Sequence, residues 1–464
     1  MRKLVINTRS PKIREYSDWY TTVSSTVLFP IHERLKKHTT VAARKTLEKT
    51  QWKTPEEIRD IQLSRLQKLL IHANDHVPYY HNLFADIGFN TKSVTSLDAL
   101  EKIPFLDKTI IRNHSEQLKS AVPSGLAKFN TGGSSGQPLN FYISLERVSH
   151  DVAAKWRATR WWGVDIGDPE LVVWGSPIEL GAQDRVRLIR DKLLRTQLLP
   201  AFELSDKKLE KFIHDIQRIK PKMLFGYPSA LGRIAKHALN QSVDLSAIGV
   251  KVVFVTSEYL YDEQRKLIEK CFGCQVANGY GGRDAGFIAH ECPARNMHIT
   301  AEDIIVEIID SSGHRVKHGQ SGEIVVTHLA TSGYPFIRYR TGDVGILDDQ
   351  QCPCGRGLPL LKEIQGRTSD FVVSQSGDII HGSALRYILR EFSNILEYKI
   401  IQETKELTRV LLVVDKSFTK THEDKVIQGF KNRLGEDITV NIEYVQEIPA
   451  EKSGKFRFVI SHAV

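Results

Sequence analysis

The sequence predicts an α/β protein: a large multi-layered N-terminal domain followed by a small mobile α+β domain. Three observations predict it. Between residues 129 and 365, short β-rich runs alternate with segments of helical spacing, as in Leu171-Val172-Val173-Trp174, Val252-Val253-Phe254-Val255 and Ile304-Ile305-Val306-Glu307-Ile308. Helices layered on a partly parallel sheet produce this alternation. Residues from about 10 to 120 read mostly as helix. From Gly366-Arg367-Thr368-Ser369-Asp370 onward the order becomes hairpin, helix, strand, strand, helix, strand. The expected division is therefore 1–366 and 367–464, and a chain of 464 residues has length enough for two cores.

In the helical region Thr54 is the expected N-cap and Pro55-Glu56-Glu57-Ile58 the first turn. Ile58, Ile61, Leu66, Leu69 and Leu70 then recur at helical spacing. Next comes Asn130-Thr131-Gly132-Gly133-Ser134-Ser135-Gly136-Gln137, preceded by Phe129 and followed by the alternating run Leu139-Asn140-Phe141-Tyr142-Ile143. The loop is expected to join two strands. Its glycines let backbone approach a bulky anion, and its amides and hydroxyls can donate to the anion's oxygens. It contains no lysine, so it is not a Walker loop. A plain Gly/Ser hairpin satisfies the same residues. Trp156, Trp161 and Trp162 lie at near-helical spacing and are expected in the core. Asp262–Lys270 reads as a helix with Cys271 at its end and Cys274 at the entry to a strand.

The composition, 41% hydrophobic and 26% charged, is that of an ordinary globular protein. The formal net charge of +9 is spread among acids with no long like-charge block, which gives a solvated basic surface and no nucleic-acid patch. No stretch is long and apolar enough to cross a bilayer, and the N-terminal Met1-Arg2-Lys3-Leu4-Val5-Ile6-Asn7 lacks the apolar core of a signal peptide. A cytoplasmic location is expected. Five cysteines do not form a disulfide framework.

Three further segments, Gly279-Tyr280-Gly281-Gly282-Arg283-Asp284-Ala285-Gly286, Arg338-Tyr339-Arg340-Thr341-Gly342-Asp343 and Lys452-Ser453-Gly454-Lys455-Phe456-Arg457, follow the glycine loop in order. In this order and at these separations the four resemble the adenylate-forming superfamily. The chain looks most like its phenylacetate–CoA ligase family, and within that the capsular-polysaccharide adenylyltransferase branch. The entry runs His76-Val77-Pro78-Tyr79-Tyr80 and Ile103-Pro104-Phe105-Leu106-Asp107-Lys108 carry the resemblance over nearly the whole chain.

The resemblance implies the fold of that superfamily and an ATP site. Thr131, Gly132, Gly133, Ser134, Ser135 and Gly136 would hold the β- and γ-phosphates, Tyr280 would lie against adenine with Gly279 and Gly281 also in the ATP site, and Asp343 would bind the ribose hydroxyls. Arg367 would also contact ATP. Lys455 would be the catalytic residue, its point charge between the α-phosphate and the attacking carboxylate, with Lys452 as fallback. Asp284 takes the place of the superfamily's usual magnesium-binding glutamate, one methylene shorter but still a hard oxygen ligand. An Arg283–Asp284 ion pair is the alternative. Tyr227, Pro228, Ser257, Glu258 and Asn278-Gly279 are the positions matching the acid pocket. The implied reaction joins ATP and a carboxylic acid into an acyl-adenylate, which then passes its acyl group to CoA or an amine as the small domain rotates about Thr368–Asp370. A homodimer is compatible with this reading. A phosphotransferase, or a nucleotide-binding regulatory protein without turnover, is the rival.

Cys292, His298, Cys352 and Cys354 supply three thiols and an imidazole, the donor set of a closed structural zinc site. Pro353 and Gly355 shape a turn that brings both sulfurs of Cys352-Pro353-Cys354 to one side. Relatives in the family have a similar zinc-associated pattern. The pair Cys271-Phe272-Gly273-Cys274 reads instead as packing cysteines or a weak redox pair.

Overall fold

The computed structural model describes residues 18–130, 139–175, 185–201, 204–367, 371–449 and 456–463. The helical N-terminal part consists of α1 (Trp19–Val23), a π-helical turn, α2 (Phe29–Leu35), α3 (Thr40–Thr50), α4 (Pro55–His76), α5 (Pro78–Asp86) and α6 (Lys108–Asn113). Thr54 caps α4 as expected. Its hydroxyl accepts from the Glu57 amide while the Glu57 carboxylate accepts from the Thr54 amide, so two orphan donors are satisfied reciprocally. Ile58, Leu66, Leu69 and Leu70 of α4 are buried and Ile61 packs against the same core.

The hairpin β1 (Ala127–Asn130) and β2 (Asn140–Ile143) pairs antiparallel, so the glycine-rich segment does connect two strands. Residues 131–138 themselves, with all six loop positions assigned to phosphate, lie outside the described residues. After α7 (Leu145–Arg160) come β3 (Glu170–Trp174), α8 (Arg185–Leu193), β4 (Thr196–Pro200), α9 (Asp206–Ile219), β5 (Met223–Gly226), α10 (Pro228–Asn240), β6 (Val252–Thr256) and α11 (Asp262–Phe272). Then seven strands run without a helix: β7 (Gln275–Gly282), β8 (Gly286–Glu291), β9 (Met297–Ile299), β10 (Ile304–Ile309), β11 (Ser321–His328), β12 (Tyr339–Asp348) and β13 (Leu360–Arg367). The alternation expected as far as residue 365 thus ends at Phe272. Antiparallel neighbours need only short loops, whereas the parallel part needs helical crossovers.

Together these strands form one eleven-stranded sheet in the order β10-β11-β12-β13-β9-β8-β7-β6-β5-β3-β4. Strands β4, β3, β5, β6 and β7 are parallel neighbours, and the rest are antiparallel. β6 is buried at every position: Val253 and Val255 face the core under α9, α10 and α11, and Val252 and Phe254 face the opposite core. Coverage on both faces explains why it reads as an unbroken apolar run.

The C-terminal part has its own hairpin, β14 (Phe371–Val373) with β15 (Ile379–His381). It also has α12 (Ser383–Arg390), β16 (Ile395–Gln402), β17 (Leu407–Val414), α13 (Lys420–Leu434) and β18 (Thr439–Tyr444). This is the expected order with one addition: β19 (Val459–Ser461) pairs parallel to β16 and closes a sheet of order β18-β17-β16-β19. Three residues carry too little pattern to reveal a strand. A separate core of Leu385, Leu389, Ile400, Val410, Val426 and Phe430 fills this part.

Candidate active site and metal centre

Parallel strands place chemistry at their carboxyl ends, where backbone turns away from the sheet. Here β5 ends before Tyr227, β6 ends before Ser257 and Glu258, and Tyr280 sits near the end of β7. The three pocket candidates and the adenine candidate therefore share one edge of the sheet.

Tyr280 donates through its hydroxyl to Asp343 Oδ2 at 2.9 Å, and Arg367 Nε lies 3.3 Å from Asp343 Oδ1. Strands β7, β12 and β13 each supply one member. Asp343 and Arg367 are register partners on β12 and β13, which explains their juxtaposition. Desolvation, reinforced by the Asp343 charge, holds the Tyr280 phenol well above its ordinary range, so it remains a donor. Gly342 reaches Asp343 through φ +76, and the Thr341 hydroxyl accepts from the Asp343 amide at 3.0 Å. Gly281 is required by space: a Cβ there would lie 2.2 Å from the Gly286 carbonyl oxygen.

Asp284, half-buried on the turn after β7, accepts from the Tyr339 hydroxyl at Oδ2 over 2.7 Å. Burial first, then the Asp284 charge, raises the Tyr339 phenol. The turn is held from below by Arg147, 1% exposed, whose guanidinium donates to the carbonyls of Arg283 and Asp284 at 3.1 Å. Arg147 Nε also donates to Asp151 at 3.2 Å. Burial would raise Asp151, but Arg147 and His328 outweigh it and hold the carboxyl below its usual range. Sequence reasoning did not single out Arg147, Asp151 or Tyr339 for roles. Only Tyr339 carried a signal, being inside a recognised motif. Arg338 of the same motif is structural: it is buried and grips Glu307 with Nε and a terminal nitrogen at 3.1 and 3.0 Å.

Among the pocket candidates, Tyr227 is 2% exposed and stacks on Trp174 with centroids 4.3 Å apart. Ser257 adopts φ +71, a strained conformation for a residue with a Cβ. Glu258 accepts from the amide and hydroxyl of Ser229, both at 3.0 Å, at the start of α10. It also accepts from the Phe456 amide at 2.8 Å, so it ties the C-terminal tail to the strand ends. Lys452 and Lys455 lie outside the described residues, as do Thr368–Asp370, but the tail resumes at Phe456 on Glu258.

Cys292, His298, Cys352 and Cys354 present their donor atoms within 4.8 Å of one another, and three of the four are buried. Cys292 follows β8, His298 is on β9, and the other two are in the β12–β13 connection. The Cys292 and Cys352 sulfurs are 3.6 Å apart, and Cys354 Sγ is 3.2 Å from His298 Nε2. Zinc–sulfur bonds of about 2.3 Å at tetrahedral angles space two thiolates by roughly 3.8 Å, so the set fits that ion. His298 Nδ1 faces the Leu358 carbonyl at 3.4 Å, and Asn296 donates to Cys352 Sγ at 3.3 Å. These outer contacts orient a ligand set. Hydrogen bonds from Cys292 and His298 push the Cys354 thiol down, while its bond to Cys354 pushes Cys292 up. Trp161 meets the His298 ring edge-on at 5.6 Å and belongs with Trp162 to the packed interior. Cys271 and Cys274 are not in the cluster. Burial raises their thiols to about 11 and about 12, which suits packing rather than redox chemistry.

The chain matches two family models, one for AMP-binding enzymes over residues 196–334 and one for the CapK C-terminal domain over residues 372–462. It is 24% identical over 417 residues to protein CapK of Staphylococcus aureus, covering 88% of this chain and 90% of that one. It is 28% identical over 377 residues to a phenylacetate–coenzyme A ligase of Aromatoleum evansii, covering 80% and 81%. The fold is that of 2-hydroxyisobutyryl-CoA ligase. In the postadenylation state, with an acyl-AMP bound, that enzyme gives a TM-score of 0.72 at 23% identity, over 89% of this chain and 91% of that one. In its thioesterification state the TM-score is 0.59 at 23% identity, over 88% and 90%.

Proposed function

We propose that this member of the adenylate-forming superfamily, on the branch that holds CapK and the phenylacetate–CoA ligases, activates a carboxylic acid with ATP. A carboxylate oxygen of the acid attacks the α-phosphorus, the bond to the β-phosphate oxygen breaks, and pyrophosphate leaves. The thiol of CoA or an amine then attacks the acyl carbon, and AMP departs with the electron pair. The observation that carries this reading is the convergence of Tyr280, Asp343 and Arg367 at the carboxyl edge of the parallel strands. Two sequence motifs and the start of the 366–370 segment, separate in the chain, meet there.

In this reading Asp343 exchanges its bond from Tyr280 for the ribose hydroxyls, and the Tyr280 ring lies against adenine. Arg367 keeps the Asp343 carboxylate oriented. The 131–136 loop binds the departing pyrophosphate, and Lys455 sits between the α-phosphate and the acid, where its charge counts most in the transition state. Asp284, with Oδ2 fixed by Tyr339, would hold Mg²⁺, which when bound offsets phosphate charge. The Cys/His cluster would hold a structural zinc with every coordination position filled by protein. Residues 367–464 act as a lid turning about Thr368–Asp370. Two features support a separable lid: its sheet shares no strand with the eleven-stranded sheet among the described residues, and it has its own core. The higher similarity to a postadenylation state supports an arrangement suited to the first half-reaction.

Acid-dependent pyrophosphate release across a panel of aromatic, fatty, amino and sugar acids tests the reading. AMP and pyrophosphate with at least one acid, abolished in Lys455→Ala with ATP binding retained, is the expected result. ADP as product would make the protein a phosphotransferase. No turnover with any acid would leave a binding protein.

A further inference from the structure

The first helical segment is built inside out. Its inward side is largely polar: Thr21, Ser24, Ser25 and Glu33 are buried, with Phe29 the main apolar exception. The Thr21 hydroxyl donates to Asp168 at 2.9 Å, and Glu33 takes hydrogen bonds from His38 and Thr40. Its outward side is apolar. Trp19, Val23, Val27, Ile31 and Leu35 recur every four residues and are all exposed, Trp19 at 73% and Leu35 at 80%. A helix on a water-soluble surface normally shows the reverse pattern.

The stripe continues onto α8. The Tyr20 hydroxyl donates to the Leu193 carbonyl at 2.9 Å and the Arg195 guanidinium lies 4.3 Å from the Tyr20 ring, so the two helical segments are neighbours. α8 adds exposed Leu188, Ile189 and Leu193. Eight exposed large apolar side chains on two neighbouring segments mark an interaction site rather than chance exposure.

Its charge says what it meets. Arg34, Lys36, Lys37 and Lys192 are exposed around the apolar stripe. The acids within residues 18–38 and 188–195 are all engaged: Asp18 with Arg195 at 2.6 Å, Asp191 with Arg190, and Glu33 in the interior. An apolar face carrying tryptophan and rimmed by uncompensated cations is the composition of a helix that lies in the interface of an anionic bilayer. A second copy would bring the same cations against each other.

We propose that α1, α2 and α8 form a peripheral docking surface for anionic lipid bilayers, with Trp19, Val23, Val27, Ile31 and Leu35 entering the headgroup–acyl boundary. No helix among the described residues is long and apolar enough to cross a membrane. The inference does not depend on the proposed reaction.

Vesicle co-sedimentation of the full chain tests it, with phosphatidylglycerol/phosphatidylethanolamine vesicles against pure phosphatidylcholine. The expected result is binding to the anionic vesicles, weakened about tenfold or more on neutral ones and by raised salt. Val27→Asp with Ile31→Asp should abolish it, and Lys36→Glu with Lys37→Glu should weaken it about tenfold while leaving the melting temperature unchanged. Absence of binding to anionic vesicles, or equal binding by the V27D/I31D variant, overturns the proposal. So does a concentration-dependent dimer that the same variant dissolves without any vesicle binding, which would assign the face to a second copy.

Discussion

Asp343 shows how one side chain can be committed before its ligand arrives. Its two oxygens are held by Tyr280 and Arg367, which aims it at the strand edge. Replacing it with alanine removes two charge-assisted acceptors worth about 1.5–3 kcal/mol each. Asp343→Ala should therefore weaken ATP binding by about tenfold or more, read by calorimetry, and unchanged affinity would reduce the residue to a turn former. Tyr339 acts through another group. It fixes Asp284 Oδ2 from 2.7 Å, so Tyr339→Phe should raise the Mg²⁺ concentration for half-maximal pyrophosphate release about tenfold. A merely structural tyrosine would lower the melting temperature and leave the Mg²⁺ dependence where it was. The motif residues were legible because glycine, tyrosine and aspartate sit at fixed offsets in the chain. Arg147 was not, because its partners, the carbonyls of Arg283 and Asp284, lie far along the chain and carry no side-chain pattern.

Strand β9 is only three residues long, yet it sits between β8 and β13 where the sheet changes partners far apart in sequence. Its pairing rests on Ala289–Ile299, His290–His298 and Glu291–Met297 on one side and on two register pairs on the other. The Cys/His cluster ties this weak element to the end of β8 and to the β12–β13 connection. Filling it should carry stability that a three-residue strand cannot supply, since a metal bound only by folded protein stabilises the fold. Purified protein should hold about one zinc per chain, and Cys352→Ser should lower the melting temperature by about 5–10 °C, with loss of activity following loss of fold. Metal-free protein with an unchanged melting temperature would show four packed side chains and nothing more. The four ligands could be read from donor chemistry, the Cys352-Pro353-Cys354-Gly355 turn and the family resemblance. The strand register that brings them together could not, because the sequence encodes it only through alternation. The buried parallel strand β6 was easy to find, with four consecutive apolar residues from Val252 to Val255, whereas β19 was missed for want of length.

Among the described residues, charged, hydrogen-bonded and cation–aromatic contacts link the C-terminal part to α11 and the end of β6. Arg386 of α12 is their centre. Its guanidinium lies 3.3 Å from the Tyr261 ring centroid and 4.2 Å from that of Phe458. It donates to the Tyr398 hydroxyl at 3.2 Å and reaches Glu263 at 3.3 Å. Arg390 reaches the other Glu263 oxygen at 3.2 Å, and Glu258 holds the Phe456 amide. Every one of these contacts joins the start of α11 or the end of β6 to the C-terminal part, or braces Arg386 within it. If the lid turns between half-reactions, they exist in one position only, and weakening them moves the equilibrium rather than the chemistry. Arg386→Ala should then slow acid-dependent ATP–pyrophosphate exchange by about fivefold or more, because each lost 1.4 kcal/mol shifts the population tenfold. Acyl transfer from a supplied acyl-adenylate, which needs the other position, should be unchanged or faster. Glu263→Gln should give the same split, and the double variant should fall short of the sum, since the two side chains share one contact. Equal losses in both half-reactions would mean that Arg386 only supports the fold of α12, and no loss in either would remove the latch altogether.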